Sequence, residues 1–273
     1  VLACGALMNA LADIAGTYFL IFQLTWVRIT FFGIIIIFSC FLNIKGIKDS
    51  MLFIKVLTWT KVVSLMLLVI FGLTRIDHAN IAWQGFPEFG KIGEASILLL
   101  FAFLGGELAL ASGGEMKNPS RTGPLGFIIG VILVILGFCT IHLAAQGVLG
   151  TAMLRKQDAP LAELAKALFG EVGFLIVLAL SFIAVWSTLS SILTLLPRIL
   201  YAGAKDGLLP DVFSKVHPNY RRPFVAIVFL GFLEFGFAAS GSFRYLLVLV
   251  TGASLLIYFG AVLAFLKLRC NSK

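Results

Sequence analysis

The chain of 273 residues is 60% hydrophobic and only 12% charged, and its mean hydropathy is +1.05. Soluble domains carry roughly twice that charged fraction, so the composition excludes a soluble protein and predicts a polytopic membrane protein. The apolar runs lack the two-residue alternation of barrel strands, so the predicted protein is all-α. The net charge of +8 forms no contiguous basic run, which excludes a nucleic-acid-binding surface.

Eight apolar runs of about 20 residues predict membrane-spanning helices. Together they form a single transmembrane domain over residues 1–273. The chain opens with Val inside the first run, with no basic segment before it, which is unlike a signal peptide and indicates a chain without its beginning. The predicted spans are residues 1–22, 25–42, 53–74, 96–114, 125–147, 171–197, 223–240 and 243–266.

The distribution of positive charge predicts the orientation of these spans. If the chain starts on the cytoplasmic side, the inner loops and the C-terminus hold nearly twice as many of the 21 Lys and Arg residues as the outer loops. Residues 157–169 then predict an amphipathic helix on the outer surface, with a capping Asp at its start and Gly at its end. Residues 201–217 predict a cytoplasmic helical elbow, broken at Asp206, Gly207 and Pro210.

The cysteines and histidines give no sign of a metal, a cofactor or a catalytic centre. The four cysteines lie in or beside apolar runs without paired spacing, which is typical of small core residues. The three histidines lack metal-ligand or catalytic spacing, which argues against a membrane enzyme. An ion channel would need repeated charge rings or a carbonyl filter, and none repeats here. A channel or a non-transporting membrane subunit remains the alternative to a transporter.

Five ionisable residues lie within the predicted spans, where a charge costs at least about 2.5–3.5 kcal/mol. They are Asp13, Lys61, Glu107, His142 and Glu234. Asp13 shares a helix face with Asn9, which fits contact between helices as well as contact with a solute. His142 is expected to be a satisfied core histidine. Glu234 fits a structural acid as well as a functional one.

Lys61 lies about two turns into the third predicted span, too deep for its side chain to reach the inner interface easily. An amine buried in the membrane can release its proton near neutral pH. Lys61 could therefore carry a proton, or act as a fixed positive charge where a cation would otherwise bind. A structural lysine, bound to carbonyl groups of a neighbouring helix, is the alternative.

The fourth predicted span breaks at Gly105-Gly106 and places a carboxylate at Glu107. Each glycine lowers helix propensity by about 1 kcal/mol. Backbone freed in this way survives at membrane depth only where it lines a cavity, so the pattern predicts a site for a polar solute. Its carbonyl groups suit an ammonium group, and the carboxylate suits a cation or a proton. Close helix packing at the glycine pair is the alternative.

Four segments of the chain carry a resemblance to a known family. They are NIKGIKDS followed by Lys61, FAFLGGE, GGEMKNPSRTGP and RILYAGAKDGLLPDVFSKVHPNYRRP. With these segments the chain resembles the amino acid–polyamine–organocation (APC) superfamily of amino acid permeases, from about the third helix of that family to the end of the tenth. The resemblance implies a LeuT-like bundle of inverted repeats that lacks its first two and last helices, with solute held between broken first and sixth helices.

The resemblance also implies a substrate site at the end of the fourth span. Phe101 resembles the aromatic gate, and the backbone carbonyls of Phe101, Ala102 and Leu104 resemble acceptors for the substrate's ammonium group. Gly105 and Gly106 belong to the same break.

Two further groups of residues are implied. Lys61 and Glu107 resemble the residues that couple transport to protons, because proton-linked members place a lysine in the former sodium site. A cytoplasmic gate is implied at Glu115, Asn118, Pro119 and Arg121.

The function implied is secondary active transport of amino acids or related amines, by proton-coupled symport or by exchange, with alternating access. The expected partners are a small-molecule substrate, protons and the lipid bilayer, and the expected location is the bacterial cytoplasmic membrane. The oligomeric state is open, with a homodimer as one option. The family's Gly-rich first helix is absent from this sequence, so only half of the substrate site is expected here, and this chain alone is not expected to transport.

Overall fold

The computed structural model describes residues 1–45, 50–82, 85–106, 118–155 and 159–271. These residues form α-helices joined by turns and short 3-10 helices, and no β-strand occurs among them. The helices are α1 (Leu2–Gly16), α2 (Thr25–Lys45), α3 (Ser50–Leu73), α4 (Phe89–Phe103), α5 (Pro119–Leu149), α6 (Pro160–Lys205), α7 (Phe224–Ser240) and α8 (Phe243–Asn271).

Several of these helices suit a lipid environment. Within the described residues, four apolar stretches are long enough to cross a membrane: Thr25–Lys45, Ser120–Met153, Pro160–Lys205 and Phe243–Cys270. Little of the most apolar 18-residue window of each stretch is buried inside the protein; in the window of Ser120–Met153 the buried share is 6%. Apolar faces of this extent are unfavourable in water. The prediction of an all-α, polytopic membrane protein is therefore confirmed, while the LeuT-like arrangement stays a prediction.

The chain divides into two compact units. Unit 1 comprises Val1–Ile81 and Ala144–Leu246, and unit 2 comprises Ala82–Leu143 and Leu247–Lys273. In unit 1, α1 packs on α6 and α7, α2 packs mainly on α7, and α3 packs on α6. In unit 2, the rings of Phe103 and Phe138 meet edge to face, with 5.7 Å between their centroids.

The core of unit 1 forms where α1, α2, α6 and α7 meet. Apolar residues on each of these helices interlock in one cluster, which matches the apolar stripe expected of helices that bury one face. The largest of its buried members are Met8, Leu11, Phe32 and Leu189. A second, smaller cluster joins Ile14 to the start of α6.

The helix predicted on the outer surface forms the first part of α6. It begins at Pro160, so its N-cap residue is Ala159, and no side chain caps it. The predicted capping Asp158 lies outside the described residues. Gly170 interrupts α6 with φ +73° and ψ −164°. Glycine adopts this backbone conformation without the steric penalty of a side chain, so the sequence sets the place where the short helix ends.

The predicted elbow also has its turns at the expected residues. The end of α6 has the hydrogen bonds of a Schellman motif: the Leu208 N–H donates to the Gly203 carbonyl at 2.9 Å, and the Gly207 N–H donates to the Ala204 carbonyl at 3.2 Å. Gly207 has φ +74°, as this motif requires at the residue after the cap. Pro210 then precedes the 3-10 turn Asp211–Ser214.

Candidate functional site

The helix break predicted at the glycine pair is where α4 ends. The last helical residue is Phe103, and Leu104 is extended, with φ −69° and ψ +144°. Gly105 follows with φ +101°, a conformation that side-chain-bearing residues rarely adopt. The backbone therefore changes from helix to turn within three residues, because glycine has a low helix propensity.

The break is closed by a backbone hydrogen bond. The Phe101 carbonyl accepts this bond from the Leu104 N–H at 3.2 Å. The side chains of Phe101 and Leu104 are half-buried, whereas Ala102 is exposed.

The second glycine lies against an aromatic ring of unit 2. A Cβ atom at Gly106 would come within 3.2 Å of the Phe127 ring. This approach favours glycine at that position, although the ring could yield by a small rotation.

Two predicted site residues, Glu107 and Glu115, lie outside the described residues. The remaining members of the predicted cytoplasmic gate form the start of α5. Asn118 has φ +53°, and its carbonyl accepts hydrogen bonds from the N–H groups of Arg121 at 3.1 Å and Thr122 at 2.9 Å. Pro119 takes the first helical position, where its missing N–H costs nothing. The Arg121 side chain is exposed.

Lys61 belongs to unit 1, where it faces α6 from α3. Its Nζ atom donates a hydrogen bond to Thr188 Oγ1 at 3.5 Å. The Thr188 hydroxyl in turn donates to the Ala184 carbonyl at 3.0 Å, so its oxygen is oriented to accept. An ammonium group has three donors, and among the described residues Lys61 forms no salt bridge. The bound partner is thus a hydroxyl rather than the carbonyl groups considered from the sequence.

A cavity of about 320 Å³ lies beside Lys61 within unit 1. Its lining is mainly apolar, and polar atoms come from Lys61, Ser64 and Ser181. The Ser64 hydroxyl donates to the Lys61 carbonyl at 2.9 Å, which fixes it against its own helix. A single cation at the edge of an apolar cavity can bind an anionic or carbonyl oxygen, and it repels other cations.

The predicted substrate residues and the predicted coupling lysine fall in different units. Phe101 to Gly106 belong to unit 2, whereas Lys61 belongs to unit 1. Each group has a local structure that suits its predicted role, and their roles remain predictions.

The structure reveals an ion pair that the sequence did not suggest. Arg28, at the start of α2, pairs with Asp13 near the end of α1, and the side chains are 28% and 31% exposed. The same Arg28 Nη2 atom lies 3.3 Å from the Asn9 carbonyl. In the sequence, only the short connection between α1 and α2, residues 17–24, could have indicated that the Arg28 side chain lies near α1. Asp13 is thus neutralised by a neighbouring helix.

Two other ionisable residues differ in burial. His142 is exposed, so the expectation of a core histidine is wrong. Glu234 is completely buried, with neither carboxyl oxygen hydrogen-bonded among the described residues. Within those residues, no group of three His, Cys, Asp or Glu side chains could hold a metal ion.

Comparison with known proteins assigns the chain to a family. The family profile described as "Amino acid permease" matches residues 1–273, the whole chain. The chain belongs to this amino acid permease family. The permease is similar to the methylthioribose transporter of Bacillus subtilis (strain 168), with 27% identity over 202 residues that cover 70% of this chain and 43% of that transporter.

Two further relatives come from the same organism. The branched-chain amino acid permease BcaP is 27% identical over 203 residues, covering 72% of this chain and 43% of the relative. The serine/threonine exchanger SteT is 29% identical over 202 residues, covering 72% of this chain and 46% of the relative. The permease thus spans about half the length of the relatives it matches. The family is one of permeases rather than enzymes, and the APC resemblance is confirmed.

Proposed function

We propose that the permease takes part in secondary active transport of amino acids or related amines across the membrane, by proton-coupled symport or exchange with alternating access. The observation that carries this proposal is the backbone break between Phe103 and Gly105, in a chain that matches an amino acid permease profile along its whole length. Broken helices at membrane depth are the usual binding elements of secondary transporters.

In the proposed site, the substrate's ammonium group binds near the end of α4. The carbonyl groups of Phe101, Ala102 and Leu104 accept its hydrogen bonds, and the Phe101 ring closes over it. Glu107 binds a cationic group or a proton. This assignment follows the LeuT-like arrangement, in which the other half of the site comes from the first helix of that fold.

The relatives named above do not agree on a single substrate class. Their names cover a methylthioribose transporter, a branched-chain amino acid permease and a serine/threonine exchanger. A panel that includes apolar, hydroxyl-bearing and cationic amino acids is therefore needed, since the end of α4 offers mainly backbone groups that an amino acid of any side chain could use.

Lys61 is proposed to couple transport to protons. Its hydrogen bond to Thr188 and its position beside an apolar cavity support this role, because a hydroxyl and apolar surroundings stabilise an ammonium group less than water does. The positive charge of the Lys61 ammonium group would also take the place of a bound metal cation. The orientation with the chain start in the cytoplasm, the bacterial cytoplasmic membrane as location and a homodimer belong to the same proposal.

Uptake by proteoliposomes tests this function. The full-length protein that contains this chain is purified, reconstituted and given labelled amino acids and amines, with and without a pH gradient. We expect uptake of at least one substrate and its acceleration by an inward proton gradient, or exchange against substrate loaded inside. Absence of both for every compound, in vesicles where the protein is folded, would overturn the proposal.

Variants of Lys61 and Glu107 then test the roles assigned to them. We expect Lys61→Ala and Glu107→Gln to lower uptake by about tenfold or more and to remove its pH dependence, since one tenfold step corresponds to about 1.4 kcal/mol. Lys91→Ala is the matched control, because Lys91 is exposed and pairs with the exposed Glu88 at 3.6 Å. Wild-type uptake and pH dependence in both site variants would show that these roles are wrong.

A further inference from the structure

Glu234 is a buried acid without the partners that such a group normally has. Its side chain on α7 is 0% exposed, and neither Oε1 nor Oε2 has a hydrogen-bond partner among the described residues. The nearby Asn9 shows the usual arrangement: it is also buried, and its Nδ2 atom donates to the Gly5 and Ala238 carbonyls, both at 3.0 Å. A buried carboxylate without such bonds is strongly unfavourable, whereas a neutral carboxylic acid is far less so.

The groups that surround Glu234 do not supply a paired positive charge. The Cys4 thiol of α1 is near enough to offer the carboxyl a weak S–H donor, although neither carboxyl oxygen has a hydrogen-bond partner by geometry among the described residues, and the carboxyl lies within electrostatic range of the Cys40 thiol of α2. In the described part of the chain, Glu234 forms no salt bridge. Thiols are weak donors and do not compensate a carboxylate as an ammonium or guanidinium would.

Close helix packing excludes water from this carboxyl. A Cβ atom at Gly5 of α1 would lie 3.1 Å from the Ala238 nitrogen of α7, and a Cβ atom at Gly231 of α7 would lie 2.7 Å from Cys40 Sγ of α2. The backbones of α1 and α7 therefore approach closely about one turn after Glu234, and α2 packs against α7 about one turn before it.

We propose that Glu234 is a proton-binding site of the permease, occupied by a proton as long as α1, α2 and α7 are packed together. When these helices separate and admit water, the carboxylic acid gives its proton to water and becomes a carboxylate. The carboxylate must take up a proton from water again before the helices repack. Proton binding at Glu234 and packing of the three helices are thereby linked. This site is separate from the coupling residues proposed above, and it does not depend on transport.

Infrared difference spectroscopy tests the site on the purified protein. A protonated carboxyl has a carbonyl stretching band that shifts in D2O, and we expect such a band at neutral pH in the wild type. Glu234→Gln should remove it, whereas the control Glu88→Gln, at an exposed carboxylate, should retain it. If Glu234→Gln does not fold, Glu234→Met gives a neutral side chain of similar volume. A neutral-pH spectrum without a band that either folded Glu234 variant removes would overturn the proposal.

Alkylation of Cys4 tests the link between the proton and helix packing. Cys4 is 0% exposed, so a thiol reagent reaches it only when α1 separates from its neighbours. The thiolate fraction rises with pH in every variant, and the Glu234→Gln protein corrects for that rise. Above pH 4.3, the ordinary pKa of a glutamate, and for as long as the packed carboxyl keeps its proton, opening releases one proton. In that interval the wild-type rate relative to Glu234→Gln should increase by up to about tenfold per pH unit. A ratio independent of pH would contradict the link, whether or not the protein transports.

Discussion

At the residue scale, the backbone conformations of Leu104 and Gly105 form the helix break on which the proposed substrate site depends. Gly105 adopts φ +101° directly after the extended Leu104, and this pair of conformations turns the chain away from the axis of α4. The sequence located the break, because two successive glycines in an apolar run have no common structural use other than a turn or a packing seam. The direction in which the chain leaves is a property of the structure.

Substitution of Gly105 tests whether the break is required. We expect Gly105→Ala to destabilise the break by about 1–3 kcal/mol, because the added Cβ meets no atom within 4 Å but the positive φ is unfavourable for alanine. Uptake should fall with the loss of this conformation.

Gly93→Ala is the matched control for Gly105→Ala. Gly93 lies within α4, has open space around it and has no positive φ, so alanine should stabilise the helix by about 0.5–1 kcal/mol. Thermal unfolding in detergent measures both effects. Equal stability of the two variants would mean that Gly105 does not hold the break.

At the element scale, helices of unit 1 are fixed by close contacts that are distant in sequence. Asn9 of α1 donates to the Ala238 carbonyl of α7, and Arg28 of α2 pairs with Asp13 of α1. The periodicity of each helix indicates which of its faces is apolar, but it does not indicate which other helix covers that face. Glu234 is the clearest case, because its burial depends on the approach of α1 and α2.

The contact between α2 and α7 predicts a contrast between two glycines of α7. A Cβ atom at Gly231 would lie 2.7 Å from Cys40 Sγ and 3.2 Å from Ile36 Cγ2, whereas one at Gly236 would meet nothing within 4 Å. We expect Gly231→Ala to lower stability by about 1–3 kcal/mol through overpacking. Gly236→Ala should raise it slightly, since alanine favours the helix.

Thermal unfolding of both glycine variants, measured in the same detergent, gives the comparison. If Gly231→Ala were as stable as Gly236→Ala, the packing of α2 on α7 would differ from the one described.

At the scale of the whole molecule, the apolar exterior decides where the protein can exist. The most apolar 18-residue window of the Ser120–Met153 stretch has a mean hydropathy of 2.6, and only 6% of it is buried by the protein itself. Hydrocarbon is the solvent in which such a surface is stable, and helices satisfy their own backbone groups there. The composition alone was sufficient for this conclusion.

A charge on this exterior should interfere with membrane insertion. Leu133 is 63% exposed near the middle of the Ser120–Met153 stretch, and an arginine there costs about 2.5–3.5 kcal/mol on insertion. We expect Leu133→Arg to reduce the membrane-inserted fraction by about tenfold or more, measured by carbonate extraction of isolated membranes. Leu208→Arg is the control, because Leu208 is 80% exposed in the turn after α6. Equal insertion of both variants would mean that the exposed face of α5 does not contact lipid.

The sequence by itself determined the membrane class, the family and the places where helices break. Composition, the spacing of apolar runs and the conformational freedom of glycine are local properties, so they can be interpreted without knowing which helices meet. Gly170 and Gly207 end helical segments where the sequence predicted breaks. Only the tertiary structure decided the partners of the ionisable residues: Arg28 for Asp13, Thr188 for Lys61, and no hydrogen-bond partner within the described residues for Glu234. These depend on contacts between residues far apart in the chain, and packing of whole helices sets such contacts.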